Sequence, residues 1–186
     1  MTQTLDIKVN EAWNHGLESW NFPSVPYVIA PSASQGVRDL GEIGKALEGE
    51  FAFMKFPEFQ TYVNLEKIVR EFSTDPQRAT KAIAAHEIGH RFCPYDAVTL
   101  LILNNAIKKS LEDQQLPYDS KAAAKNIMNL FTDTCLNTRL VQRGDEDISW
   151  VYQSLGKEKK SSKLWNVYGR SMELAWEKKL LPTEIQ

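Results

Sequence analysis

Two of the three histidines in this 186-residue chain stand four positions apart, in His86-Glu87-Ile88-Gly89-His90. Residues four apart in a helix lie one turn above each other on one face, so His86 and His90 can offer ring nitrogens to a single ion. Zinc suits imidazole donors, and one zinc per chain is the expectation. Glu87, one position on, projects about 100° away from His86. It therefore stays out of the coordination sphere but can reach a water on the metal's open side, which is the place of a general base.

This chemistry needs a helix, and the surrounding residues supply one. Asp75 is a good N-cap, and Pro76 suits the first helical position, where its missing N–H costs nothing. Ala79, Ala82, Ile83, Ala84 and Ala85 continue with helix formers and small side chains, as expected of a helix buried beneath a sheet. Pro94 disfavours helical geometry at Cys93 and predicts a stop there. Gly89 inside the helix costs roughly 1 kcal/mol against alanine, so a close approach by backbone or ligand is expected beside the histidines.

A catalytic zinc has three protein ligands and an open position, so a third residue is needed. Asp133 is one candidate. It lies in a helix predicted over Lys121 to Arg143, away from a solvated face made by Lys125, Thr132, Arg139 and Arg143, with Asn129 and Asn137 one turn to either side. A half-buried carboxylate there needs a cation, a donor or a metal. Asp96 is the rival, because it stands where the extended H-E-x-x-H-x-x-G-x-x-H pattern of metzincins puts its third ligand. Cys93 replaces the turn glycine of that pattern, and Asp96 also suits the N-cap of the next helix. Tyr95, Asn137 and Arg139 are the candidates for stabilising an oxyanion.

The rest of the chain must position these residues. Leu5, Val9, Trp13, Leu17 and Trp20 recur at helical spacing and predict an amphipathic helix whose tryptophans pack. Tyr27 to Ala30, Phe51 to Phe56 and Thr61 to Asn64 read as strands, the second apolar on both faces and so internal. A short helix is predicted within Val37 to Leu47, and another from Leu65 to Phe72 capped by Asn64. After the motif come a very apolar helix from Ala97 to Leu111, expected to be buried, and the helix Lys121 to Arg143, capped by Ser120 and closed by Gly144. A short helix around Trp150 to Leu155, a charged loop with Lys157, Lys159 and Lys160, and a last amphipathic helix from Leu164 to Leu181 complete the chain. The class is α+β, with a small mixed β-sheet packed on a metal-binding helix and further C-terminal helices. One domain spans 1–186, with an N-terminal helix and sheet over 1–74, metal-site helices over 75–144 and C-terminal helices over 145–186.

Composition agrees with an ordinary globular protein: 42% hydrophobic, 25% charged, net charge −2. Nucleic acid is not an expected partner. The N-terminus lacks the pattern of a signal peptide and no apolar run approaches a membrane span, so no membrane partner and a cytoplasmic location are expected. Cys93 and Cys135 are too few for a disulfide framework and read as buried thiols.

His86 to His90, the CPYD that follows, and the later NLFTDTCLN together resemble the zincin-type metallopeptidase domain that precedes von Willebrand factor A-like domains in some prokaryotic proteins. The resemblance covers roughly Val63 to Arg143. It implies a zincin-like fold and a peptide or protein substrate. It also implies that the aspartate of the second helix, Asp133, completes a site with His86 and His90, as a more distant carboxylate does in gluzincins. The 186 residues contain no von Willebrand factor A-like part, which leaves open what targets or regulates the peptidase; a regulatory protein partner is among the expectations. The leading expectation is zinc-dependent peptide hydrolysis with Glu87 as base, the substrate lying extended along a sheet edge. Competing with it are a catalytically inactive zincin-fold binding module, with or without structural zinc, and a metal-dependent hydrolase of non-peptide amides.

Overall fold

The computed structural model describes residues 11–22, 27–30, 40–55, 60–92, 97–115, 119–158 and 163–181. Helix α1 covers residues 11–18. Strand β1 (Tyr27–Ala30), helix α2 (Glu42–Glu48), strands β2 (Ala52–Lys55) and β3 (Gln60–Asn64) and helix α3 (Leu65–Glu71) follow. The remainder is helical: α4 (Pro76–Gly89), α5 (Ala97–Asp113), α6 (Ser120–Gln142), α7 (Glu146–Glu158) and α8 (Lys163–Trp176). The architecture is mostly helical with one small mixed sheet, within the expected α+β class. No helix among the described residues is long and apolar enough to cross a membrane.

The sheet has the order β1-β3-β2, with β1 parallel and β2 antiparallel to β3. This corrects the placing of the second strand. The residues from Phe51 onward were expected to be internal, but among the described residues β2 lies at the edge of the sheet and β3 at its centre. Apolar residues on both faces do not require pairing on both edges: Ala52 and Met54 are buried in the core with α4, while half-buried Phe53 stacks on Tyr62 of β3. Asn64 ends β3 and starts α3, its Oδ1 accepting from the Lys67 amide at 3.0 Å, as expected.

Helix α4 is the axis of the core. Asp75 Oδ1 accepts from the Arg78 amide at 3.0 Å and Pro76 opens the first turn, as the sequence predicts. Its small residues let other helices come close. A Cβ built on Gly16 of α1 would lie 2.4 Å from the Lys81 carbonyl oxygen, so α1 crosses α4 at a contact only glycine permits. Trp13, Leu17 and Trp20 join Ala82, Ile83, Ala85 and Ile88 in the main cluster, and the Trp20 indole N–H donates to the Ala85 carbonyl at 2.7 Å. The tryptophans are packing residues. On the other side Asp147 of α7 accepts from Arg78 at 2.7 Å and Lys81 at 2.8 Å, which sets α7 along α4.

Several predicted boundaries move. Helix α4 stops at Gly89 rather than Cys93, so His90 is its C-cap and the chain continues in tight turns, with Arg91 N bonded to the Ile88 carbonyl and Phe92 N to that of Gly89. The close approach at Gly89 is made by side chains, not by backbone or ligand: its Cβ would meet Leu136 Cδ1 at 2.3 Å and Trp20 Cζ2 at 2.8 Å. Helix α5 is not buried. Val98, Leu101 and Ile102 are 64%, 59% and 62% exposed, while α5 packs chiefly on α6 among the described residues. Asp119, not Ser120, caps α6, its Oδ1 accepting from Lys121 N and Ala122 N at 2.9 and 3.2 Å. Gly144, with φ +89°, follows the end of α6 as expected. Helix α7 is longer than predicted and carries the backbone through Lys157. Helix α8 ends at Trp176, and Glu173 Oε1 then accepts from the amides of Leu180 and Leu181, both at 2.7 Å, turning those two residues into the core. Cys135 is half-buried rather than buried. Cys93, Tyr95 and Asp96 lie outside the described residues.

Candidate metal centre

Helices α4 and α6 bring His86, His90 and Asp133 together. His86 and His90 project from one face of α4, as their spacing predicts, and Asp133 projects from α6 opposite them. The two Nε2 atoms are 3.2 Å apart, and Asp133 Oδ1 lies 3.5 Å from His90 Nε2 and 3.8 Å from His86 Nε2. These three residues form the group of His, Cys and carboxylate donors, among the described residues, that could hold a metal ion. Three donors about 2.05 Å from a tetrahedral centre stand about 3.4 Å from one another, so the observed spacing fits one ion with little rearrangement.

The protonation pattern fits as well. Asn137 is fully buried one turn beyond Asp133, and its Nδ2 donates to the Tyr152 hydroxyl at 2.9 Å. Its Oδ1 therefore faces His86 Nδ1, at 2.8 Å, and Nδ1 carries the proton. That leaves the His86 Nε2 lone pair directed at the cluster, the arrangement a metal-ligating histidine needs. Tyr152 is in turn bonded to the Tyr168 hydroxyl at 3.0 Å, so the string runs from α4 through α6 and α7 to α8. His90 needs no deprotonation near neutrality: burial, with the neighbouring His86 second, pulls its pKa down to about 3. Burial likewise pushes the Asp133 carboxyl up, with His86 opposing and Glu50 adding to the shift.

Glu87 is 8% exposed and lies beside the trio without belonging to it. Burial raises its pKa from 4.5 to about 7, with His86 opposing the rise and Asp133 and Glu50 adding to it. A carboxyl so placed exchanges a proton near neutral pH, as a general base must.

The trio and Glu87 line the floor of a cleft of about 1000 Å³. Phe53 and Met54 of β2 form one wall, Leu100 and Leu101 of α5 another, and Met128 and Lys125 of α6 extend the floor. Among the described residues β2 pairs only with β3, so its second edge is unpaired in the sheet.

Of the candidates for an oxyanion stabiliser, Asn137 is committed to His86 and Tyr152, and Arg139 is directed over the Trp20 ring, 6.0 Å from its centroid, rather than into the cleft. Neither is available for that role, because helical periodicity places a residue on a face without saying what that face meets. Tyr152 and Tyr168 were not anticipated. Their only local signal is a place on the apolar faces of α7 and α8, which reads as packing.

Comparison of the chain with protein-family models, with curated proteins and with solved structures returned no match.

Proposed function

We propose that this chain is a zinc-dependent peptide hydrolase of the zincin type, with His86, His90 and Asp133 as ligands and Glu87 as general base. The observation that carries the reading is the convergence of two imidazole nitrogens and a carboxylate oxygen, at 3.2 to 3.8 Å from one another, on the floor of an open cleft. Two histidines and a carboxylate are a donor set of catalytic zinc. A purely structural zinc closes its fourth position with protein, whereas this trio opens on a cleft, which favours the enzyme over an inactive binding module.

When bound, zinc would act there as a Lewis acid on a water and a substrate carbonyl. The chain's own residues do the rest. Glu87 Oε receives the proton of the attacking water and passes it to the leaving amine, a role for which a carboxyl titrating at about 7 is poised. Asn137, held by Tyr152, keeps His86 in the tautomer that presents Nε2. The edge of β2 that no described strand pairs with offers main-chain donors and acceptors to an extended substrate segment, which favours a peptide over a small amide as the substrate class.

The test is paired: zinc content and cleavage of a mixed peptide pool, for wild type and Glu87→Gln. The variant should keep its zinc and lose at least about 10²-fold in rate, as loss of a general base does. Equal cleavage by both proteins, or none by a zinc-replete wild type over a broad pool, rules the enzyme out in favour of the binding module.

A further inference from the structure

Arg70, Arg78 and Arg170 each hold a carboxylate, on Glu71, Asp147 and Glu173. Arg139 and Arg143 hold none among the described residues. Both are exposed, and they stand one turn apart on α6, the spacing at which like charges repel. Both lie over the Trp20 ring, with guanidinium carbons 6.0 Å (Arg139) and 4.9 Å (Arg143) from its centroid. Arg143 also donates to the Ser19 carbonyl at 3.1 Å. Phe92, 41% exposed, is stacked on the same indole with centroids 5.5 Å apart, and meets the Phe22 ring edge-on. Two guanidinium groups and a phenyl ring are thus gathered around Trp20, and none of them lines the metal-site cleft.

The dipole of α6 favours cations in its last turn. It does not explain why both are laid over one indole with an exposed phenyl beside them. Trp20 is itself tied down, its N–H donating to the Ala85 carbonyl at 2.7 Å, so the stacked guanidinium groups lose less freedom when they meet a ligand. Arginine and aromatic rings are also the residues that protein interfaces gather at their centres.

The group that answers a guanidinium fork is a carboxylate. Positions 139 and 143 are ~6 Å apart along the helix, and carboxylates on alternate residues of an extended chain stand about 6.6 Å apart on one side. Two cations on a chain of net charge −2 are too few for a nucleic acid, whose affinity grows from many phosphate contacts.

We infer that the surface around Trp20 docks an acidic segment of a protein partner, with two carboxylates on Arg139 and Arg143 and a neighbouring apolar side chain on Phe92. The inference does not rest on the hydrolase reading.

The test uses a fluorescein-labelled peptide, Phe-Ser-Glu-Ser-Glu-Ser-Phe-amide, whose pattern reads alike in both chain directions, and a control with Gln in place of both Glu. Anisotropy is followed against the full chain carrying Glu87→Gln, so that a hydrolase would leave the probe intact. At low salt the Glu peptide should bind about tenfold tighter than the Gln peptide, the combined worth of two exposed ion pairs. Adding Arg139→Gln with Arg143→Gln should abolish that difference, and Phe92→Ser should weaken both peptides by a similar factor. Equal affinities of the two peptides overturn the inference, and that comparison needs no surface variant to fold. A preference that survives the double arginine change overturns it as well. So does tighter binding of an equally labelled thymidine trinucleotide, which would assign the surface to nucleic acid.

Discussion

His86 donates from Nδ1 to Asn137 Oδ1 at 2.8 Å, and the direction of that bond is set by a third residue, Tyr152, which takes the other end of the amide. Which His86 nitrogen keeps its lone pair toward His90 and Asp133 is therefore decided 51 positions further along the chain. Asn137→Ala should lower zinc affinity by roughly 10 to 100-fold, the usual loss when a ligand histidine is released from its anchor. Competition against a calibrated chelator measures it, and an unchanged affinity would show that the amide only fills space.

The ligand set itself makes a second prediction. His86→Ala and His90→Ala should each take bound zinc from one per chain to near none, and Asp133→Asn should weaken binding at least about tenfold by removing the charged donor. Asp96→Asn should leave affinity as it was. A larger loss from Asp96→Asn than from Asp133→Asn would move the third ligand to the turn after α4.

In the metal-free protein Glu87 should oppose folding as the pH rises. Its folded-state pKa, about 7, lies above the ordinary 4.5, so the stability linked to its proton is fully present below pH 4.5 and is lost as pH climbs through about 7. Glu87→Gln should therefore match wild type at pH 4.5 and exceed it above pH 7 by at most about 3.5 kcal/mol, at about 1.4 kcal/mol per pKa unit. Urea unfolding with chelator present, at both pH values, gives the comparison. His90 has the opposite sign: its pKa is depressed from 6.5 to about 3, so its contribution is present above pH 6.5 and is lost as pH falls through about 3. A gap for Glu87→Gln that is as large at pH 4.5 as at pH 8 would contradict a buried, titrating Glu87.

Gly16 should be intolerant of a side chain. Its Cβ would lie 2.4 Å from the Lys81 carbonyl oxygen and 2.6 Å from Ala84 Cβ, and both are fixed in α4. Although alanine favours helix, Gly16→Ala should destabilise the protein by about 1 to 3 kcal/mol through overpacking. A thermal melt equal to or above that of wild type would mean that α1 can shift without loss.

Much of the site was legible because it is local. The cap at Asp75, the helix behind it, and the i, i+4 histidines all follow from residues within one helix, and Asp133 could be found from the periodicity of another. What could not be read depends on which elements meet. Nothing near Tyr152 or Tyr168 in sequence connects them to His86. The apolar residues of α5 announced burial, but burial requires a partner, and among the described residues Val98, Leu101 and Ile102 stay exposed. Strand pairing failed for the same reason, since alternation describes the faces of a strand and says nothing of its edges. Asp119 and Ser120 are adjacent and both cap helices well, so the choice between them rested on the turn before α6.

The path of the hydrogen bonds also fixes when the centre comes into being during synthesis. His86, Glu87 and His90 leave the ribosome first, on a helix that already has its cap, but Asp133 follows 43 positions after His90, and Tyr168 is the last member of the string. A nascent chain stopped before α6 carries His86, Glu87 and His90 but neither Asp133 nor the Asn137 that is bonded to the His86 ring. The string of bonds behind the candidate metal centre is thus complete only after Tyr168 has been made. This delay follows from the order of residues along the polypeptide.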